Sequence, residues 1–492
     1  MLFNSYEFIF CFLPISFLVY FYLNKKKLIV AAKIWLLFSS LFFYSWWNVM
    51  YLPLILTSVL FNYSISNAMI GHDESKDRYL AKKSLLQVGL LFNIGLLVYF
   101  KYMDFFILNT NAVFGFNIAL LHLALPLAIS FFTLQQIVFL IDSYEGLVKE
   151  KNFLNYTIFV TFFPQLIAGP IVHHKEMMPQ FASVKNKVKN YKNIALGLFI
   201  FSIGLFKKVV IADTFAVWAT HGFDLSTRLS LFEAWATSLS YTFQLYFDFS
   251  GYTDMAIGAA LLFNIRLPIN FNSPLKATGM VDFWQRWHIT LSKFITAYIY
   301  TPLVRSFDRL TFHKAMFATV ITFLIAGLWH GASWMFVIFG GLNGLGIVAN
   351  HYWQKKIKIK MNKVLAWFIT FNFVNITFVF FRANELDDAV KVLKGMVGFY
   401  GVEISNNLYG ALGFLTNYGI KFEPWLQNIH GTKWTLVWFL FALTILCLKY
   451  NTVSYANNKL SLSIKSSIFT SIVILINIFY MNNTSTFLYF NF

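Results

Sequence analysis

Apolar positions in this chain gather into long runs, separated by short polar stretches. Residues 6–23, 28–47, 51–70, 85–102, 118–141, 194–212 and 231–263 are such runs, and five more follow after residue 311. About 20 consecutive apolar residues is the length a helix needs to cross the hydrocarbon core of a bilayer. In lipid, only helices and closed barrels satisfy every backbone group. The pattern predicts an all-α polytopic membrane protein with about ten to twelve transmembrane helices.

Three stretches break the pattern. Residues 159–172, "FVTFFPQLIAGPIV", are short and interrupted by Pro164, Gly169 and Pro170, with basic residues on both sides. A segment that begins and ends on one side is re-entrant, and its broken backbone needs protein or a water-filled cavity around it. Residues 264–280 are too polar and too broken to span. Residues 281–307 mix Arg286, Lys293 and Arg305 with aromatics, as a helix at or half inside the interface does. After residue 381, "RANELDDAVKVLKGM" carries a helical apolar stripe and reads as a surface helix.

Composition agrees with the pattern. The 492 residues are 58% hydrophobic and only 12% charged, against about 25% charged in ordinary soluble domains. Length alone suggests about three soluble domains. The runs follow one another too closely for that, so residues 1–492 form a single membrane-embedded domain. The net charge of +18 could suggest a nucleic-acid partner. Its lysines and arginines, however, sit in short clusters between apolar runs, as cytoplasmic loops require, and no nucleic acid is expected. Threading these clusters places both termini outside the cytoplasm. No positive stretch precedes residues 6–23 and Lys25–Lys27 follow them, so this run reads as a retained helix, not a cleaved signal. Cys11 and Cys447 are far apart and lack metal-ligand spacing.

Few residues can do chemistry. Asp248 and Asp254, in "YFDFSGYTDMAIG", lie within a long apolar run. Ionisable groups at membrane depth are functional candidates, while Ser250 and Gly251 equally suit close helix packing. Most of the ten histidines fall in expected loops or at helix ends; His173 and His174 border the re-entrant stretch. His330, in "IAGLWHGASW", sits at the turn between two apolar runs, sixteen residues after Lys314, or about 24 Å along a helix. A neutral imidazole there can take a proton from a hydroxyl; a buried histidine bonded to a backbone carbonyl is the other reading. His288 follows Trp284 and Trp287 at helical spacing and could equally be an interfacial residue. There is no nucleophile elbow, P-loop, dinucleotide glycine pattern or cluster of metal ligands. On chemistry alone, carrier and enzyme both stay open.

Ordered matches along most of the chain resemble the membrane-bound O-acyltransferases, in the bacterial branch that acetylates alginate and peptidoglycan. They include "LPLAISFFTLQQIVFLIDSYEG", "FFPQLIAGPIV", "GLFKKVVIAD", "YFDFSGYTDMAIGAALLFNIRLPINFNSP", "DFWQRWHITLSKFITAYIYTPL", "AGLWHGASWMFVIFGGLNG" and "VFFRA". The resemblance implies helices around a central tunnel, with His330 as catalytic histidine and His288 as the second family histidine. Trp287, Trp329, Asn272, Asp248 and Asp254 are the expected substrate-binding residues. Gln285 stands where many relatives carry a basic residue. The ending "TFLYFNF" resembles an aromatic motif of this branch and of a small partner peptide in teichoic-acid D-alanylation, whose tyrosine is proposed to carry the acyl group. By that likeness Tyr489 is a third catalytic residue.

The expected reaction is acetyl transfer from cytoplasmic acetyl-CoA, used as a substrate with no bound cofactor. The site would be the bacterial cytoplasmic membrane, and a periplasmic SGNH-type transferase would pass the group to a cell-envelope polysaccharide. Peptidoglycan is the first choice, because a chain rich in Phe, Lys, Asn and Ile suits an AT-rich genome. Alginate or another exopolysaccharide is the alternative. A non-enzymatic transporter of the acyl donor and a structural scaffold for an export complex are readings from other classes.

Overall fold

The computed structural model describes residues 1–70, 76–148, 150–481 and 485–488, with the side chains of residues 76–80 left aside. Helices dominate, and the described strands are two three-residue pieces, Glu403–Ser405 and Lys421–Glu423, paired in parallel. Among the described residues, seven helices are long and apolar enough to cross a membrane: Glu7–Lys25, Val49–Ile70, Ala81–Phe114, Tyr191–Leu225, Phe312–His330, Trp334–Ile357 and Lys363–Arg382. Lys433–Cys447 with Thr452–Asn458, bent by 45°, makes an eighth. Only with the shorter apolar helices Ile29–Ser45, Ile129–Tyr144 and Ile464–Tyr480 does the number reach the expected range.

The centre is built by Tyr191–Leu225 packed along the 32-residue helix Leu231–Leu262. Their approach is set by glycines. A Cβ on Gly204 would lie 2.7 Å from the Gly251 carbonyl oxygen, and one on Gly197 2.7 Å from that of Gly258. Such contact lets dispersion and tight packing join helices that gain nothing from excluding water. Leu231–Leu262 opens with a capping box between Ser230 and Glu233, which satisfies its first free N–H groups. Most of its residues are buried, as befits the axis of the bundle.

Four expectations are corrected here. The run expected to end at residue 212 continues to Leu225, because Lys207 and Lys208 are paired with aspartates of the neighbouring helix and do not mark a surface. That extension draws His221, expected in a solvated loop, into the helix end, where its ring meets His430 edge-on at 3.9 Å. Residues 118–141 form a helix only over Ile129–Tyr144; Pro126 stands before it, and His122 and Ala128 hold positive φ. The aromatic segment after residue 280 is not one interfacial helix. It breaks into Met280–Arg286 and Ile289–Ile295 around His288, and Phe283, Trp284 and Trp287 are buried in the core.

The stretch expected to be re-entrant is helical over Phe153–Thr161, turns through Phe163–Leu166, and resumes at His174–Ala182. Nine residues reach about 14 Å, far short of a crossing. This backbone is wrapped by protein: Phe162, Phe163, Leu166 and Ile167 are buried, and the Ala168 and Ile171 N–H groups bond to Tyr252 and Thr290 hydroxyls. The helix Leu386–Met396 buries its apolar stripe, Ala389, Val392 and Met396, as expected.

Candidate active site

His330 is the last residue of Phe312–His330, and Trp334 starts the returning helix. The two helices pack knuckle to knuckle: a Cβ on Gly327 would lie 2.3 Å from the Phe336 carbonyl oxygen, and one on Gly340 2.3 Å from that of Phe323. A helix end leaves carbonyls without intrahelical partners. Here Lys101 satisfies them, its Nζ donating to the Trp329 carbonyl at 2.5 Å and the His330 carbonyl at 3.2 Å, with Ser130 Oγ at 3.1 Å. A cation at a helix C-terminus also complements the helix dipole. The Tyr102 hydroxyl donates to the Leu328 carbonyl at 2.8 Å. The His330 ring is 3% exposed, walled by Phe381 at 5.2 Å and Phe339 at 6.0 Å, both edge-on.

His288 comes from a different part of the chain. It sits at the break between two short helices with φ of +44°, a left-handed conformation uncommon outside glycine, asparagine and aspartate. Asn270 holds this bend: its Oδ1 lies 3.2 Å from His288 Nδ1 and accepts from the Thr290 N–H and hydroxyl at 3.2 and 2.9 Å. Burial, in a segment that spans nothing, holds the His288 imidazole well below its ordinary value and so neutral at pH 7. Trp329 joins the two histidines, its ring centroid 5.1 Å from that of His330 and 6.3 Å from that of His288.

A cavity of about 680 Å³ opens beside His330, lined by Lys101, Gln244, Gly331, Ser333, Phe381 and Leu488 among others. A Cβ on Gly331 would stand 2.1 Å from the Phe336 ring, so the absence of a side chain keeps the His330 corner open. The Arg382–Asp224 ion pair lies on the same wall, both residues lining the cavity.

The other expected substrate contacts are spread out. Trp287 is buried, stacked on Phe283 at 5.6 Å and edge-on to Phe271 at 5.0 Å. Asn272 is exposed and ties loops together, donating its N–H to the Arg286 carbonyl and accepting from Asn451. Asp248 and Asp254 pair with Lys208 and Lys207, each at 2.6 Å, so their partners are lysines of the neighbouring helix. Tyr489 lies outside the described residues. Sequence reasoning missed Asn270 and Lys101; Lys101 was signalled by a cation set in the apolar run of residues 85–102, whereas Asn270 lay unmarked in a polar stretch.

No metal is expected from the sequence, yet the fold brings Asp142, His173 and His174 together, their ligand-type atoms within 4.8 Å of one another. His174 Nε2 is 2.7 Å and His173 Nε2 3.0 Å from Asp142 Oδ2, and the Tyr298 hydroxyl donates to Asp142 Oδ1 at 3.1 Å. The Lys175 N–H donates to His173 Nδ1, so that Nε2 is the ring nitrogen that faces Asp142. The group acts as a hydrogen-bonded post that fixes the re-entrant stretch against Ile129–Tyr144.

The His330 imidazole thus ends a membrane-length helix next to the cavity that Gly331 lines, with the half-buried Lys101 capping the same helix end. The comparisons agree. The chain belongs to the membrane-bound O-acyltransferase family, whose profile matches residues 31–385. It is 47% identical to the peptidoglycan O-acetyltransferase of Helicobacter pylori, over 100% of this chain and 98% of that protein. It is 35% identical to a protein of Azotobacter vinelandii named "Probable alginate O-acetylase", over 81% of this chain and 78% of the other. A teichoic acid D-alanyltransferase of Streptococcus thermophilus is 28% identical over 53% of this chain and 69% of its own length. The protein is therefore a multi-pass membrane enzyme, an O-acetyltransferase.

Proposed function

We propose that this enzyme carries acetyl groups from cytoplasmic acetyl-CoA across the bacterial cytoplasmic membrane for O-acetylation of peptidoglycan. The observation that carries the chemistry is His330 at the end of its helix, its neighbour Gly331 lining a cavity together with Lys101 and Leu488. What favours peptidoglycan is that likeness to the Helicobacter relative runs through the whole chain, tail included, whereas the alginate relatives match about four fifths of it.

In this reading His330 takes the phenol proton of Tyr489, which follows Leu488 directly in sequence. The phenolate oxygen forms an ester bond with the acetyl carbonyl carbon, the carbon–sulfur bond of the thioester breaks, and the departing thiolate takes up the proton. An aryl ester is a good carrier, since phenolate with a pKa of about 10 leaves more readily than an alkoxide. A serine of a periplasmic SGNH-type partner then attacks that ester and releases the phenol, and a sugar hydroxyl accepts the acetyl group from the partner. Both chain termini face the periplasm in this arrangement.

The test is complementation of a strain lacking the gene, with acetyl groups on muropeptides measured by mass spectrometry. Wild-type protein restores them, and His330→Ala, present at normal amounts, does not. Restored acetylation of another polymer with muropeptides left bare would move the substrate to an exopolysaccharide. Full restoration by His330→Ala would refute the general-base role.

A further inference from the structure

A buried lysine in the bundle core, Lys208, has no part in the chemistry described so far. Lys208 Nζ lies 2.6 Å from Asp248 Oδ1 and 3.0 Å from Asp213 Oδ1, and the Lys208 and Asp248 side chains are each 2% exposed. A buried ion pair is poor value as a stabiliser, because desolvation consumes much of the attraction, and apolar residues of similar size often serve as well. What sets this one apart is where its remaining hydrogen-bonding capacity points. Lys208 Nζ donates to the Thr486 carbonyl at 3.1 Å, Asp248 Oδ2 accepts from the Leu488 N–H at 3.1 Å, and Asp213 Oδ1 accepts from the Ser485 hydroxyl at 2.7 Å. Asn4 adds a bond to the Ser485 carbonyl at 3.1 Å. Between these grips the Phe487 ring, 1% exposed, lies under Lys208 Nζ at 4.9 Å and edge-on to Tyr252 at 4.8 Å.

We infer that Lys208, Asp248 and Asp213 form a docking clamp for the chain's own residues 485–488. The clamp reads the segment as a peptide-binding site reads an extended ligand: main-chain atoms of Thr486 and Leu488 are held, and one aromatic side chain fills a pocket. It sets Leu488 on the wall of the cavity that Gly331 and Lys101 share. The three charged residues are positioning residues; none touches the reacting atoms. Because the segment is tethered, its local concentration is of the millimolar order, so it can leave and return without being lost. The mechanical consequence rests on the shuttle reading above, since a docked tail matters to transfer only if the residues after it carry acetyl.

The experiment measures docking and transfer separately. In a chain with Cys11→Ser and Cys447→Ser, the pair Asn4→Cys and Ser485→Cys reports docking by its rate of disulfide formation under mild oxidant. To this chain is added the double substitution Lys208→Met with Asp248→Leu, which removes the clamp without stranding either charge of that pair. The cross-linking rate is expected to fall at least tenfold, and acetyl transfer with it, while the thermal midpoint stays within a few degrees. Phe487→Ala acts from the tail side, leaves the ion pairs in place, and should slow cross-linking similarly. An unchanged rate in both variants overturns the clamp. Tyr489→Phe should cross-link normally yet fail to transfer; if it transfers fully, the shuttle falls and the clamp stands.

Discussion

Lys101 and His330, 229 residues apart in sequence, meet through a hydrogen bond from Nζ to the backbone carbonyl at 3.2 Å. The contact fixes the end of the helix that presents the imidazole. Lys101→Met keeps the bulk of the side chain and removes the cap. Loss of a partly buried cation at a helix C-terminus costs up to about 2 kcal/mol. Acetyl transfer should drop about tenfold or more in reconstituted vesicles, with a modest fall in thermal midpoint read by size-exclusion fluorescence.

Gly331 makes a sharper test of the cavity. An added methyl would collide with the Phe336 ring, and that ring would have to turn into the space beside His330. Gly331→Ala is expected to fold, to keep normal membrane levels, and to lose most turnover. Wild-type turnover from purified Gly331→Ala enzyme would show that this corner is not where the acyl group passes.

Asn270→Ala removes the acceptor shared by His288 Nδ1 and by the Thr290 N–H and hydroxyl. Leaving buried donors unsatisfied costs about 1–3 kcal/mol per group. The expected outcome is a lower unfolding temperature together with reduced transfer. Asn270→Asp, which keeps the acceptor, should lose less of both.

Gly204→Leu attacks the scaffold away from the chemistry. Its Cβ alone would sit 2.7 Å from the Gly251 carbonyl oxygen and the Met255 nitrogen, and 2.9 Å from the Asp254 Cβ. Backbone cannot yield as a side chain can, so the helices must separate, breaking the Lys207–Asp254 pair. Removing the partner of a buried charge costs about 3–5 kcal/mol. The variant should be nearly absent from membranes by quantitative blotting.

Local pattern carried the sequence reading wherever it alone decides structure. The hairpin with His330 at its turn, the long helix after residue 230 and the amphipathic helix after residue 385 were all legible from runs and breaks. Reading failed where distant residues cancel a local signal. The run of residues 194–212 was ended too early, since the pairing of Lys207 and Lys208 with Asp254 and Asp248, 47 and 40 residues on, is not visible locally. The bend at His288 was hidden for the same reason: a left-handed residue amid good helix formers is held by Asn270, eighteen positions earlier. The two aspartates were visible as costly groups at depth, but their partners were not.

The glycine contacts between Phe312–His330 and Trp334–Ile357 have a consequence for transport. Two backbones in such contact cannot slide past each other, so the imidazole stays at one height in the membrane throughout the cycle. The helix that carries His330 and its returning partner therefore behave as one rigid unit. On the proposed mechanism, such a unit would serve as a fixed relay station to which the arriving and departing carriers travel.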